Sequence, residues 1–383
     1  MAMTPGPFEV AWDAAEIGRV LDRVRGYEFP RAPEGSGWAF GCDERFLHDL
    51  CAYWVDGYDW QAAVATLNRF PQFTAQVDGF TLHFVHVVGE AQGRRPLILS
   101  HGWPSSHFEF WDVIEPLAFP SRHGGRPEDA FDLVIPSLPG FGFSEKPRRL
   151  VDQRETARLY DRLMADVLGY RRYLAHGGDW GALVTAMLGL EHADHARAIQ
   201  MTMLLPRPAA SPETEEEKRW QEAMQANQRR LGAYAELQGS KPQSLAYAMA
   251  GNPVGQAAWI IERFHDWADL RERPFDAVFT RDQLLTNAMI YLMGDAFTTS
   301  IWYYAAALAG KTRSLPPGRP VRVPTAFTFY PDPRHVWPPR SLAEKGFAVS
   351  RWREMPRGGH FPAMEVPDLW VEDVRAWARE AGQ

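Results

Sequence analysis

The pentapeptide Gly177-Gly178-Asp179-Trp180-Gly181 constrains this chain more than any other feature. It follows a short apolar run, Tyr173 to Ala175, and opens a helix-like one, Ala182 to Glu191. Small residues on both sides of a central side chain are what a sharp strand-to-helix turn demands, because the backbones there come too close for a Cβ. Such a turn lifts its central residue to the edge of a sheet as a nucleophile. Here that residue is aspartate. A serine attacking saturated carbon would leave an ether that resists hydrolysis, whereas a carboxylate leaves an ester that water can cleave. The motif therefore points to alkyl transfer from carbon bearing a strained or good leaving group.

The surrounding texture fits such a turn. Strand-length apolar runs occur at Phe80 to Val88, Leu97 to Ser100, Leu133 to Ser137, Tyr173 to Ala175 and Ile199 to Leu205, with helical patterns at Arg154 to Leu168 and Ala182 to Glu191 between the later ones. This alternation predicts a parallel α/β sheet. Upstream, to about Phe73, the pattern is helical, at Asp13 to Arg25, Arg45 to Asp56 and Trp60 to Asn68. From Pro206 to Lys311 the strand signal vanishes and helix-like segments take over, Glu213 to Gln238 and Arg281 to Leu308. It returns at Val323 to Tyr330 and Phe347 to Arg353, before an amphipathic closing helix from Pro367 to Ala381. A helical block that interrupts a sheet reads as a lid over the strand C-termini, where open α/β sheets hold their sites. The expected organisation is a helical N-terminal extension (1–75), a core in two parts (76–205 and 320–383) and a helical lid (206–319).

With 41 Lys+Arg against 48 Asp+Glu the formal charge is −7, and the longest acidic cluster is Glu215-Glu216-Glu217, so nothing recruits nucleic acid or anionic lipid. Met1 to Glu16 has neither a basic nor an apolar leader segment, and no stretch approaches the roughly 18 apolar residues of a membrane span. The expectation is a cytoplasmic protein without a membrane partner. Cys42 and Cys51 are too few for a disulfide framework and are not spaced as a metal site; both are read as buried, inert thiols.

Three further elements carry chemistry. His101-Gly102-Trp103-Pro104 directly follows a strand, and the backbone N–H of Trp103 can pair with that of Trp180 as an oxyanion hole. Gly358-Gly359-His360-Phe361 follows the last strand, where a histidine with an ordinary pKa near 6.5 can take a proton from water. The other eleven histidines, His101 and His176 among them, are read as structural or surface groups. A carboxylate must orient the base. Asp332, in the Tyr330-Pro331-Asp332-Pro333 turn, is the first candidate, and Glu365, read as capping the final helix, is the second.

In this order the motifs resemble the epoxide hydrolases of the α/β-hydrolase fold, in the microsomal-type branch with its own N-terminal domain. The likeness spans nearly the whole chain. It takes in Pro7-Phe8, Asn68-Arg69-Phe70-Pro71-Gln72-Phe73, the turn at Trp103, Leu138-Pro139-Gly140-Phe141-Gly142-Phe143-Ser144, the aspartyl turn, the lid segments Lys241-Pro242-Gln243, Asn252-Pro253-Val254-Gly255 and Leu284-Leu285-Thr286-Asn287, and the glycines before His360. One departure is clear: the family's acid slot holds Pro333, and Asp332 comes one position early.

The resemblance implies an epoxide substrate, no metal or organic cofactor, and two lid tyrosines that donate to the epoxide oxygen. By local pattern these are Tyr234 and Tyr304, with Tyr303 the alternative to Tyr304. Trp103, Trp180, Tyr234 and Tyr304 would then bind substrate. Trp259, Phe264, Trp267 and Trp302 suit an apolar or aryl epoxide and equally suit a packed helical domain. It also implies that the N-terminal region wraps the core and braces the lid. The oligomeric state stays open, a homodimer included. The competing expectations are a haloalkane-type dehalogenase, which shares the aspartyl turn but needs no tyrosine pair, and a protein of this fold that binds a hydrophobic ligand without turnover.

Overall fold

The computed structural model describes residues 4–382, so residues 1–3 and 383, at the ends of the first and last expected segments, lie outside the described residues. Nine strands form one sheet: β1 (Gly6–Phe8), β2 (Gln72–Val77), β3 (Phe80–Val87), β4 (Arg95–Ser100), β5 (Phe131–Pro136), β6 (Tyr173–Gly177), β7 (Ala196–Met201), β8 (Val321–Phe329) and β9 (Phe347–Glu354). Their order is β1-β2-β3-β5-β4-β6-β7-β8-β9. Pairing is antiparallel from β1 to β5 and parallel from β5 onward.

Leu97, Ile98 and Leu99 are consecutive and fully buried, as are Leu133, Val134 and Ile135. Successive strand residues face opposite sides, so both faces of the sheet are covered, which is why these strands read as unbroken apolar runs. The helix Gln153–Arg162 packs on Trp180–Glu191, which lies against β4, β6, β7 and β8, while Trp111–Ala118 packs on the closing helix Pro367–Ala381. The β4–β6 register pairs Ser100 with Gly177. That single register sets the turn at His101 beside the turn at Gly178.

The expected secondary-structure elements need four corrections. The N-terminal region is not purely helical: β1 and β2 precede the sheet's continuous apolar strands, and the expected boundary between 75 and 76 falls inside β2. The β2–β3 hairpin turns at Asp78 and Gly79, both at positive φ (51° and 79°), the two-residue Asp-Gly turn that matches strand twist. Each long lid helix is two. Gly232 separates Glu215–Leu231 from Ala233–Ser240, and Gly294 with Asp295 (φ 46°) separates Arg281–Met293 from Phe297–Ala309. The helix from Gln153 stays α-helical only to Arg162 and continues as a π-turn, Leu163–Val167. β7 ends at Met201, so Met203, Leu204 and Leu205 leave the sheet.

Cys42 is half-buried, not buried, while Cys51 is buried. Burial still pushes the Cys51 thiol up to about 11, and burial with the nearby Glu262 and Asp43 carboxylates raises Cys42 as well. Both thiols stay protonated at neutral pH.

The helical block sits over the strand C-termini on two stalks zipped together: the Arg207 N–H donates to the Arg313 carbonyl (3.0 Å) and the Leu315 N–H to the Arg207 carbonyl (2.8 Å). The N-terminal helices touch this block through Tyr53, whose hydroxyl donates to Asp282 (2.7 Å), and through Tyr58, bonded to Thr286 (3.0 Å). No helix among the described residues is long and apolar enough to cross a membrane.

Candidate active site

Asp179 stands at φ 49° and ψ −126°, a strained conformation for a residue with a side chain. Crowding explains its small neighbours. A Cβ on Gly181 would run into the Ser100 carbonyl, one on Gly177 into the Gly181 carbonyl, and one on Gly102 into the Asp179 side chain itself. Because Gly102 has none, the next residue can approach: the Trp103 N–H donates to Oδ1 of Asp179 at 2.9 Å. The other oxygen, Oδ2, lies 3.5 Å from Nε2 of His360. Trp180 opens the helix that follows, so its N–H belongs to the unbonded first turn beside the same carboxylate.

His360 is buried, its N–H tied to the Trp267 carbonyl at 3.0 Å. Its Nδ1 donates to Oδ2 of Asp332 at 2.7 Å, which leaves Nε2 aimed at Asp179 with no hydrogen-bond partner. Asp332 thus reaches the histidine despite its early place in the turn. Its Oδ1 accepts from the Arg334 N–H at 2.7 Å, which folds the turn back on itself and holds the carboxylate in position.

Glu365 does something else. It neither contacts His360's ring nor caps the closing helix, whose N-cap, Val366, has no side-chain cap. Instead its carboxylate accepts from the backbone N–H groups of Asp269 (2.9 Å), Gly359 (2.8 Å) and Phe361 (2.9 Å), bracing the loop that carries His360 against the lid.

Sequence reasoning missed His335, which it grouped with the structural histidines. Its Nδ1 donates to the same Oδ2 of Asp332 at 2.9 Å, and its ring stacks 5.6 Å from that of His360. The signal was available in its place on the loop after β8, three residues from the candidate acid. Burial disfavours charge on all three groups, and the opposite charges decide the outcome for two of them. Two imidazoles hold Asp332 well below the usual carboxylate range. Burial pulls His360 down, yet the Asp332 and Asp179 carboxylates outweigh it and push the imidazole up to about 10. For His335 burial wins, and its pKa falls.

Above Asp179, the ring of Tyr234 stacks on Trp103 (5.3 Å, 9° between planes), and Tyr304 meets Tyr234 and Trp180 edge-on at 5.8 Å and 4.6 Å. The Tyr304 hydroxyl is buried without a partner. That of Tyr303 is bonded to Thr156 at 2.6 Å, facing away from the others. Burial raises the pKa of both Tyr234 and Tyr304, so each phenol keeps its proton.

A cavity of about 340 Å³ opens beside Asp179, with Trp180, Tyr234, Tyr304 and Asp332 in its wall. Trp103 is not in that wall: its indole is fully buried beneath Tyr234, and its backbone alone reaches the carboxylate. Nor are Trp259, Phe264, Trp267 and Trp302: Phe264 stacks on Phe361 at 4.2 Å and Trp267 meets the His360 ring at 4.7 Å, and the cavity's apolar surface comes instead from Met203, Leu204, Trp220, Met224 and Trp337.

The Asp179 turn at the C-terminal edge of a parallel sheet, faced by a histidine from beyond the last strand and roofed by a helical insertion, defines an α/β-hydrolase with aspartate in the nucleophile's position. Comparison with known proteins carries this further. Residues 5–110 match the family model described as epoxide hydrolase N terminus, and residues 95–249 match that of the alpha/beta hydrolase fold. The chain is 35% identical to a relative in Stigmatella aurantiaca over 98% of its own length and 84% of the other. It is 31% identical to epoxide hydrolase 1 of Oryctolagus cuniculus over 96% of this chain and 87% of that one. The crystal structure of juvenile hormone epoxide hydrolase from the silkworm Bombyx mori superposes with a TM-score of 0.88 at 25% identity, covering 99% of this chain and 95% of that one. The chain belongs to the epoxide hydrolases.

Proposed function

We propose that this enzyme opens an epoxide to a vicinal diol in two steps, with Asp179 as nucleophile and His360 as the base that activates water. The observation that carries this reading is the split use of one carboxylate: Oδ1 is held by the Trp103 N–H at 2.9 Å while Oδ2 is left facing His360 at 3.5 Å.

In the first step Oδ2 attacks a ring carbon, the C–O bond of the ring breaks, and the alkoxide takes a proton from the Tyr234–Tyr304 pair. Phenols suit this because they are protonated at neutral pH and donate best where charge develops. In the second step His360 removes a proton from water at Nε2, and the hydroxide attacks the ester carbonyl. Oδ1, now the carbonyl oxygen, becomes the oxyanion, and the N–H groups of Trp103 and Trp180 stabilise it. Collapse breaks the ester C–O bond, the leaving alkoxide takes the proton held by His360, and the proton on the new carboxyl returns to the tyrosinate, so that Asp179 is again a carboxylate and the diol is released.

Ester formation also changes His360. It removes the charge of Asp179, one of the two carboxylates that hold the imidazole high, so the pKa falls and the base becomes available at the step that needs it. Asp332 stays charged throughout and keeps the ring oriented. No metal or organic cofactor enters this scheme.

Apolar side chains in the cavity favour an epoxide with an apolar or aryl body. Residues 1–75 serve as a brace for the lid (206–319) over the two-part core (76–205 and 320–383), as the Tyr53 and Tyr58 contacts suggest. The enzyme is taken as cytoplasmic, with a homodimer allowed.

The test is His360→Gln with styrene oxide. The proposal predicts a rapidly formed, slowly hydrolysed adduct on the peptide containing Asp179, read by mass spectrometry. Diol formation at the parental rate, or an adduct elsewhere, would refute it.

A further inference from the structure

Three arginines line the cavity: Arg207 and Arg313 on the lid stalks and Arg334 on the loop after β8. Among the described residues none of them has a carboxylate within ion-pair distance of 4.0 Å. The protein treats another buried guanidinium differently. Arg263, on the lid helix behind Tyr234, pairs with both Glu262 and Asp266.

Arg334 is the most telling of the three. It is only 6% exposed, and its one side-chain bond runs from Nη2 to the neutral amide of Gln228 at 2.6 Å. Its Nε and Nη1 are buried without partners, the condition shared by the Tyr304 hydroxyl and by Nε2 of His360. A buried charge without a counter-charge is costly, and a fold keeps one only where something else compensates. Burial lowers Arg207, and the charges of Arg313 and Arg334 lower it further, so the three lie near enough to repel one another.

The carboxylates of the cavity do not answer this charge. Asp332 is engaged by two imidazoles. Glu236 is exposed and accepts from the Gln228 amide at 3.1 Å. Asp179 loses its charge in the ester. Arg207 and Arg313 have partial compensation from aromatic faces, their guanidinium carbons lying 5.6 Å from the Trp220 ring and 5.8 Å from the Trp180 ring. Arg334 has no such face.

These cations also stand close to the reacting centre. Trp180 follows the nucleophile, and the Arg334 charge opposes the burial that raises the Tyr234 phenol. We propose that the epoxide this enzyme opens carries a carboxylate a short distance from the ring, received by Arg334 with Arg207 and Arg313 completing a cationic subsite. A guanidinium matches the planar two-oxygen shape of a carboxylate. The apolar wall then holds the rest of the molecule, so the substrate class is an epoxy acid with an apolar or aryl body. The inference rests on the epoxide-opening reading and names the substrate of that same site.

The experiment compares trans-3-phenylglycidate with its methyl ester and with styrene oxide. The expected result is a kcat/KM for the acid roughly tenfold to a hundredfold above that of the ester, the scale of one hydrogen-bonded charge pair. In Arg334→Gln this acid-over-ester ratio collapses toward one, with smaller losses of the same sign in Arg313→Gln and Arg207→Gln. Because the Arg334 variant could fail to fold, wild-type enzyme supplies a second readout: 3-phenylpropionate competes with styrene oxide, and 3-phenylpropionamide competes at least tenfold more weakly. Turnover of styrene oxide and ester with no preference for the acid, or equal inhibition by acid and amide, would overturn the anionic subsite and leave the epoxide reading standing. Failure to turn over any of the three epoxides would overturn both.

Discussion

At and around the cavity, one set of polar groups is tied to the protein, and a second set is tied to nothing. Oδ1 of Asp179 accepts from Trp103, both oxygens of Asp332 are used, and Glu365 accepts three backbone N–H groups. By contrast, the Tyr304 hydroxyl, two nitrogens of Arg334 and Nε2 of His360 have no partner. In the proposed mechanism the difference separates two jobs. Groups that hold geometry are satisfied by the fold, whereas groups that act on a substrate keep a bonding position open for it. Tyr303 and Tyr304 show the contrast within one helical step, since one hydroxyl is bonded to Thr156 and the other is open.

The sharpest way to break this comparison is in the tied set. Asp332→Asn keeps the shape but removes the charge that orients and supports His360. Ester hydrolysis should slow by roughly 10³ to 10⁴, while adduct formation on Asp179 changes far less. Rapid-quench measurement of the two steps checks this, and an equal loss in both would show that Asp332 does not serve His360 specifically.

A smaller effect tests the open set. Tyr304→Phe should slow adduct formation by roughly 10- to 100-fold, the scale of losing a donor to developing charge, and leave ester hydrolysis alone. Tyr303→Phe, which breaks a satisfied bond, should change adduct formation by less than about threefold. If the two variants ranked the other way, the open-hydroxyl criterion would be wrong.

His335 sharpens the comparison further, because it shares Oδ2 of Asp332 with the base. His335→Phe removes a competing donor, so the Asp332 charge bears more fully on His360. The pH midpoint for ester hydrolysis should rise, by roughly half a unit. An unchanged or lowered midpoint would show that the shared oxygen does not couple the two rings.

The smallest effect concerns stability. His360 is raised to about 10 in the fold against about 6.5 unfolded, so its contribution is full below pH ~6.5 and is lost as pH rises toward 10. Asp332→Asn removes the largest upward influence, so the variant should lose less stability over that window, by roughly 2 °C in Tm. Thermal unfolding at both ends of the window measures it, and parallel loss in the two proteins would contradict the coupling.

The sequence made the Asp179 turn legible because backbone crowding leaves only glycine at 177 and 181, and it made β4 to β6 legible because doubly covered strands are continuously apolar. The alternating Phe73-Thr74-Ala75-Gln76-Val77 before Asp78-Gly79 also spelled out a hairpin, a signal outweighed by the helical texture preceding it. Other parts could not be read locally. Glu365 looks like a helix-capping residue until the loop of His360 folds onto it. Arg207, Arg313 and Arg334 become a cluster only when the two lid stalks pair and the loop after β8 folds beneath them. Lid tryptophans such as Trp259 and Trp267 suited a substrate surface and a packed helical domain equally, and neither reaches the cavity wall: Trp267 packs on His360 and Trp103, where the lid meets the core.

The account's central claim is that the oxygen entering the diol comes first from Asp179 and not from water. It is tested by a single turnover in heavy-oxygen water, with enzyme in excess over styrene oxide. The account predicts unlabelled diol, with the label retained in the peptide that contains Asp179. Labelled diol in that first turnover would mean direct attack by water and would contradict it.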